Sequence, residues 1–433
     1  MAIYTEEDLM GMSVHTLRII LRENNGVPGI LNKNELIRQI LEIQSGEITP
    51  TRSSKGRKPL EGHLSPIGLD ISFSDVEPEN LNMASGYFDL HADGYGYIRK
   101  DFSTFSTADV FVSKAMAKSY CLLNGDFVEG NCEKNTATGV NSLSSVSFLN
   151  GKTAIQHSNR KTYRQLESCY ATDKIHLGKI GGGVFKIVDV ICPLAKGQRC
   201  VVVDEGGNYK TDFIKKILKI LPTSLNEKIE VLCVGVKPEE LTEIKRLEGC
   251  LVTAVPINTP VDQAVRSINL FADSLKRSVE SGKEKTVVID GLSKVVSVYD
   301  EYLQSERKQS GYINLKSSGK AFVKDLLSYA GNYGADGNLT VIATVQPEKD
   351  RDFCLELIDV ATSVITLTDK NLAKRREYTV DVNSSWTVKD ELLLNEREIE
   401  FSNEAREEVL KDESFNAKLY LKVRSLKEGE ELI

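Results

Sequence analysis

The second half of this chain alternates two kinds of apolar pattern so regularly that few folds can hold it. "QRCVVVD" (198–204) is followed by "KTDFIKKILKIL", "KIEVLCVGV" (228–236) by "PEELTEIKRL", and "CLVTAVPI" (250–257) by "VDQAVRSINLFADSLKRSVES"; "KTVVIDG" and "NLTVIATV" supply two more runs of the first kind. The first member of each pair is short, β-branched and continuously apolar, as a strand buried on both faces reads. The second spaces its apolar residues at helical intervals. Such alternation predicts a mostly parallel sheet covered by helices on both faces, an α/β domain over 186–433.

Two other patterns precede it. Residues 84–150 break into five short alternating segments, "SGYFDLH", "YGYIRK", "ADVFVS", "GDFVEGNCE" and "VNSLSSVSFLN", with Gly and Asn at the breaks; this predicts a small β-barrel. Residues 1–46 carry helical spacing in "VHTLRIILREN" and "NKNELIRQILEIQ", a small helical domain. The polar stretch 47–83, beginning "EITPTRSSKGRKPLEGH", reads as a linker, and 151–185 connects barrel to sheet. Arg52, Lys55, Arg57 and Lys58 of the 47–83 linker could touch phosphates, but are read as solvated linker charges.

At 433 residues with 41% apolar content the chain can bury several cores. It has no uncharged apolar run of spanning length, and "MAIYTEEDLM" lacks the basic and apolar regions of a signal peptide; a cytoplasmic protein without membrane contact is expected. Eight cysteines without a C-x-x-C pair, several inside strand runs, read as reduced core thiols. No metal site is expected. A net charge of −7 excludes indiscriminate polyanion binding but leaves room for a local site.

One local site is suggested by "HADGYGYIRKDF". Tyr95 and Tyr97, two apart on an expected strand, would project from one face, with Gly94 and Gly96 clearing space around them. Phe111 of "ADVFVS" can add a third ring, and Arg99 and Lys100 cations. Flat faces and cations are what single-stranded nucleic acid needs, at about 1–3 kcal/mol per stacked base. A barrel with aromatic cross-strand pairs and no ligand fits the same residues. Residues 84–150 hold five Lys or Arg against seven Asp or Glu, a balance of −2, so no strong electrostatic groove is expected.

"DGYGYIRK" followed by "DVFVS" resembles the paired RNA-binding motifs of the cold-shock-type barrel in the transcription termination factor Rho family. "PLAKGQRCVVV", "KPEELTEIKRL", "VVIDGLSKVVSVYD", "GNLTVIATV" and "KDELLL" continue the resemblance in order along nearly the whole chain. It implies a multidomain α+β protein: an N-terminal helical domain, an OB/cold-shock-type barrel and a RecA-like ATPase-type domain. It further implies that the barrel is the primary site for cytosine-rich single-stranded RNA, with Asp93, Gly94, Tyr95, Gly96, Tyr97, Arg99 and Phe111 at the matching positions. The Glu-Arg-Tyr group of the last barrel strand in Rho is replaced here by "TGVNSLSSV", which leaves base preference open.

The resemblance places a P-loop at "VVVDEGGNYKTDF" (201–213), where backbone N–H groups should wrap phosphates, a lysine neutralise them and a hydroxyl hold Mg²⁺. Lys210 and Thr211 remain, but Asp204 and Tyr209 occupy the two glycine positions, and a tyrosine resists the positive φ that glycine accepts. Glu205 adds a further carboxylate; one such charge about 4 Å from a phosphate costs on the order of 4 kcal/mol at an effective dielectric near 20. Gly206 and Gly207 could form a shorter loop. Asp290 ends a strand where a RecA-like domain places its Mg²⁺-associated carboxylate. Where Rho carries Asp-Glu-Arg with its water-orienting Glu, this chain has Gly235, Val236 and Lys237, and Glu239 and Glu240 belong to the next helix. The two trans-acting arginines align with Thr368–Asp369 and Asn383–Ser385, and the Lys-containing pore loop with "SGYINLKSSGK", around Tyr312, Lys316 and Lys320.

The expectation is a Rho-like RNA-binding protein that has lost ATP hydrolysis and translocation, with no catalytic residue, and with Gly206, Gly207, Lys210, Thr211 and Asp290 as a vestigial nucleotide site. ATP and Mg²⁺ would be cofactors only if that site still binds. Expected partners are single-stranded RNA, further copies or an active Rho in a mixed ring, and RNA polymerase. Two alternatives stand beside it: an active RNA-dependent ATPase or helicase, and a non-catalytic assembly subunit.

Overall fold

The computed structural model describes residues 33–45, 83–102, 108–134, 140–153, 160–205, 209–310, 318–347, 350–372, 377–426, 430 and 432–433, with isolated positions 5, 9, 10, 17, 20, 21 and 106. Gly206, Gly207, Tyr312, Lys316 and most of the expected linker lie outside the described residues. The chain forms two compact units, Met1–Val76 and Glu77–Ile433. In the first, helix α1 (Lys33–Ser45) buries Leu36, Ile37 and Ile40 against Leu9, Leu17, Ile20 and Leu21. That 0, 1, 4 spacing is a helical face, as expected for the N-terminal helical domain.

The second unit opens with the barrel: β1 (Met83–Leu90), β2 (Gly96–Arg99), β3 (Val110–Val112), helix α2 (Lys114–Ser119), β4 (Phe127–Lys134), β5 (Asn141–Leu149) and β6 (Lys152–Thr153). The strands lie in the order β3-β2-β1-β4-β5-β6, and pairing of Phe111 with Ser142 joins β3 to β5 and closes the barrel. Alternate residues turn inward, so Phe88, Ile98, Val112, Val128 and Leu149 form its core. The two-residue β6 was not expected; it extends the barrel sheet to Thr153 through a turn at Asn150 and Gly151, both with positive φ.

Beyond α3 (Gly178–Gly181) and α4 (Val184–Ile191), the chain builds the sheet. Its parallel strands are β7 (Arg199–Asp204), β8 (Ile229–Val234), β9 (Cys250–Val255), β10 (Glu284–Asp290), β12 (Asn338–Val345) and β13 (Ser363–Thr368). They run side by side as β13-β7-β12-β10-β8-β9, with short antiparallel additions β11 (Gly331–Asn332), β14 (Thr379–Val380) and β15 (Trp386–Thr387). Val201 and Val203 of β7 face one core, shared with α7 (Val261–Glu280), α8 (Leu292–Ser310), α9 (Gly319–Ser328) and α10 (Arg351–Val360). Cys200 and Val202 face the other, shared with α4, α5 (Lys210–Leu225), α6 (Pro238–Lys245), α11 (Glu396–Lys411) and α12 (Phe415–Ser425). Two-sided burial explains why β8, β12 and β13 are apolar or small at nearly every position.

Barrel and sheet share an interface centred on α7. Tyr87 and Phe102 pack with ring centroids 4.1 Å apart at a tilt of 34°, and Phe102 meets Phe271 of α7 edge-on at 5.1 Å. Burial, then Glu230, raises the Tyr87 hydroxyl's pKa. Asn124 donates to Asp273 at 2.7 Å, and Arg160 contacts Asp126 at 2.6 Å and Glu280 at 3.9 Å.

Candidate functional site

Tyr95, Tyr97 and Phe111 form one aromatic group, with ring centroids 5.7–6.1 Å apart. β2 supplies Tyr97, whose register partner on β3 is Phe111. Tyr95 sits just before β2, in a turn closed by a 2.7 Å bond from His91 N–H to the Tyr95 carbonyl. All three residues are half-buried. Gly94 turns the chain at φ +91°, which a side chain would resist. Gly96 is required on the inside: a Cβ there would lie 2.4 Å from the Phe88 ring and 2.5 Å from the Asp89 carbonyl. Its role is packing, and the expected clearance for a ligand is not what fixes it.

The cations differ from expectation. Arg99 is buried, its Nη2 2.5 Å from Asp89 Oδ2, so it belongs to an internal ion pair, not to the exposed ring group. Asp93 is exposed at the turn. Three residues not singled out from the sequence border the rings. His91 stacks on Tyr95 at 4.4 Å and 14°, with Nδ1 3.3 Å from an Asp93 oxygen. The Lys114 stem passes over Gly94. Arg266 of α7 brings its Nε to 2.9 Å from Asp89 Oδ2, and its charge opposes the burial that raises the Tyr95 pKa. His91 was legible as the hairpin partner of Tyr95 across "ADG"; Arg266, more than 160 residues away, carried no local signal.

At the carboxyl edge of the sheet, where α/β folds place ligands, β7 ends in Asp204 and β10 in Asp290, both fully buried. Asp204 Oδ2 accepts from the Lys210 backbone N–H at 3.1 Å, so a carboxylate of the chain itself satisfies a donor at the start of α5 and lies favourably against its dipole. Lys210 Nζ donates to Asp290 Oδ1 at 2.8 Å, and Thr344 donates to the same oxygen at 2.9 Å. Tyr209 keeps ordinary right-handed backbone, φ −82°. Its hydroxyl donates to Asp369 at 2.6 Å and its ring stacks on Tyr378 at 5.3 Å; the bond to Asp369, with burial, pushes its pKa up to about 12.

Beside this group lies a cleft of about 300 Å³ lined by Lys210, Thr211, Val236, Lys237, Glu240 and Lys294, among others. Val236 stands there without a proton acceptor, and Glu239 and Glu240 occupy the first turn of α6 as expected. Of the positions aligned with the second arginine, Ser385 is buried and accepts from the Thr366 N–H at 2.9 Å. The nearby Arg406 is spent on the carbonyls of Val382, Ser385 and Ile191 at 2.7–3.0 Å. Among the described residues no cluster of three metal-ligating side chains occurs, and no helix is long and apolar enough to cross a membrane.

Residues 84–154 match the family model "Rho termination factor, RNA-binding domain". The chain is 29% identical over 347 residues to the transcription termination factor Rho of Micrococcus luteus, covering 75% of this chain and 49% of that protein. It is 27% identical over 382 residues to that of Streptobacillus moniliformis, covering 86% and 90%, and 26% identical over 314 residues to that of Karelsulcia muelleri, covering 70% and 82%. The chain thus spans about half the length of the first of these relatives and most of the other two. The RNA-binding-domain match falls on the barrel and the alignments extend far beyond it, so the chain is similar to Rho transcription termination factors along most of its length.

Proposed function

We propose that this chain is an RNA-binding member of the Rho family that acts in transcription termination without turning over ATP. Single-stranded RNA would stack on Tyr95, Tyr97 and Phe111, with Asp93 and Gly94 shaping the turn beside them. The observation that carries the loss of ATP chemistry is the double engagement of Lys210: its N–H is bonded to Asp204 and its ammonium to Asp290. The groups that a P-loop reserves for phosphate are held by the protein's own carboxylates, and a triphosphate would meet negative charge at once.

Thr211 and Asp290 are the residues that would hold Mg²⁺. Lys210 and Thr344 both donate to Asp290 Oδ1, while its buried Oδ2 has no hydrogen-bond partner among the described residues. Val236 and Asp369, standing where the Rho pattern has a base and an arginine, support the loss of ATP turnover. Kept architecture with an altered catalytic set suggests a role through binding and assembly, as a homo-oligomer or in a mixed ring with an active Rho, and in contact with RNA polymerase.

Two measurements on the full chain test the proposal: retention of pyrimidine-rich RNA on a filter, and titration with a fluorescent ATP analogue with and without that RNA. RNA binding without ATP binding is expected. RNA-stimulated phosphate release that vanishes in Lys210→Ala and Asp290→Asn would instead establish an active ATPase.

A further inference from the structure

We infer that Glu133, across the barrel seam from the aromatic group, reads the edge of a base stacked there and selects bases with an exocyclic amine, cytosine and adenine alike, against uracil; this rests on the barrel being the RNA site. The seam is where β3 pairs with β5 through Phe111 and Ser142. From it the register runs on in both directions: Tyr97 of β2 is the partner of Phe111, and Glu133 of β4 is the partner of Ser142. Register partners project from the same face of a sheet. Burial alternation agrees, because the chain neighbours Gly96, Ile98, Val110, Val112, Cys132 and Leu143 are buried, while Tyr97, Phe111 and Ser142 are half-buried and Glu133 is exposed. Tyr97, Phe111, Ser142 and Glu133 therefore form one row across four strands of the outer surface.

Neighbouring strands lie about 4.8 Å apart, so Ser142 stands one spacing from Phe111 and Glu133 two. A nucleobase is wider than a phenyl ring; one stacked on Phe111 overhangs Ser142, and the glutamate side chain is long enough to meet its edge. Serine is small, so the overhang admits a purine as well as a pyrimidine. Among the described residues Glu133 forms no ion pair, in contrast to Asp89 and Asp126 of the same barrel, which are held by arginines. A carboxylate only accepts hydrogen bonds. Cytosine N4 and adenine N6 donate to it, whereas uracil presents a carbonyl oxygen at the matching position, which a carboxylate repels.

The test is fluorescence anisotropy of labelled oligo-C, oligo-A and oligo-U RNAs of about 12 nucleotides with the full chain at one fixed salt concentration, comparing wild type, Glu133→Gln and Tyr97→Ala. Wild type should bind oligo-C and oligo-A about fivefold or more tighter than oligo-U. Glu133→Gln, whose amide donates as well as accepts, should bring the three to within about twofold of one another, chiefly by tightening oligo-U. Tyr97→Ala should weaken all three and keep their ratios. Equal wild-type affinities overturn the inference, and so does a Glu133→Gln variant that keeps the wild-type ratios, even if it binds every RNA more tightly through loss of a repelling charge. If wild type binds none of the three, the RNA reading of the barrel fails instead.

Discussion

Tyr209 donates its phenolic proton to Asp369 at 2.6 Å, tying the residue that opens α5 to the residue that follows β13. These are the positions at which the Rho resemblance expects a loop glycine and an arginine, and the two substitutions have become each other's partner. A paired change of this kind is a stable arrangement, which makes it open to reversal by design.

The double variant Asp204→Gly, Tyr209→Gly should gain nucleotide affinity. Removing Asp204 returns the Lys210 N–H to an incoming anion, and removing one carboxylate near a phosphate is worth on the order of 4 kcal/mol before losses. A fluorescent ATP analogue should bind at least about tenfold more tightly than to wild type. No gain would place the defect elsewhere in the cleft.

Tyr95→Ala and Tyr97→Ala should each lower affinity for single-stranded RNA about fivefold to a hundredfold, from about 1–3 kcal/mol per stacked base. Both side chains are half-exposed, so melting temperature should change little. Filter binding beside a thermal melt separates the two effects.

Gly125→Ala should loosen the barrel from α7. Gly125 has φ +83°, and a Cβ there would lie 2.5 Å from the Asp273 carbonyl carbon and the Ser274 nitrogen. Backbone strain and a forced shift at a packed contact together cost about 1–3 kcal/mol, readable as a lowered melting temperature. Faster hydrogen exchange at Phe271–Ser274 would localise the loss to the interface.

Asp189 accepts from the Leu177 and Gly178 N–H groups at 3.0 and 2.8 Å, yet burial outweighs these bonds and raises its pKa from 3.8 to about 6. Between those values the folded protein keeps a proton that the unfolded chain has released. Its contribution to stability is therefore full below pH 3.8 and is lost as pH rises through about 6, at no more than about 1.4 kcal/mol per pH unit. Asp189→Asn should flatten the stability profile between pH 4 and 6, measured by denaturant midpoints. An unchanged profile would mean that the carboxyl titrates normally.

The sheet domain was legible because its strands are buried on both faces: uninterrupted runs such as "VVVD" and "VLCV" leave little choice of element. The barrel was legible through alternation and through turn residues such as Gly94, and its aromatic group through the two-residue spacing of Tyr95 and Tyr97. Arg99 was misplaced for a related reason. Spacing says that it shares a face with Tyr97, but only tertiary packing says that this face is covered at Arg99 and open at Tyr97. Short β6 lacks the length to register as a pattern. The grip of Asp204 and Asp290 on Lys210 joins residues up to 80 positions apart, and no local rule predicts which side chain a buried carboxylate will find.

The pairing of Asp89 with arginines from two directions bears on how the barrel chooses its alignment. Sliding β1 past β2 by two residues would keep every side chain on its proper surface, so hydrophobic patterning offers no protection against that error. It would, however, carry Asp89 away from Arg99 and Arg266 and strand a carboxylate under α7, a mistake worth several kcal/mol. The neighbouring domain thereby proofreads the barrel's strand alignment.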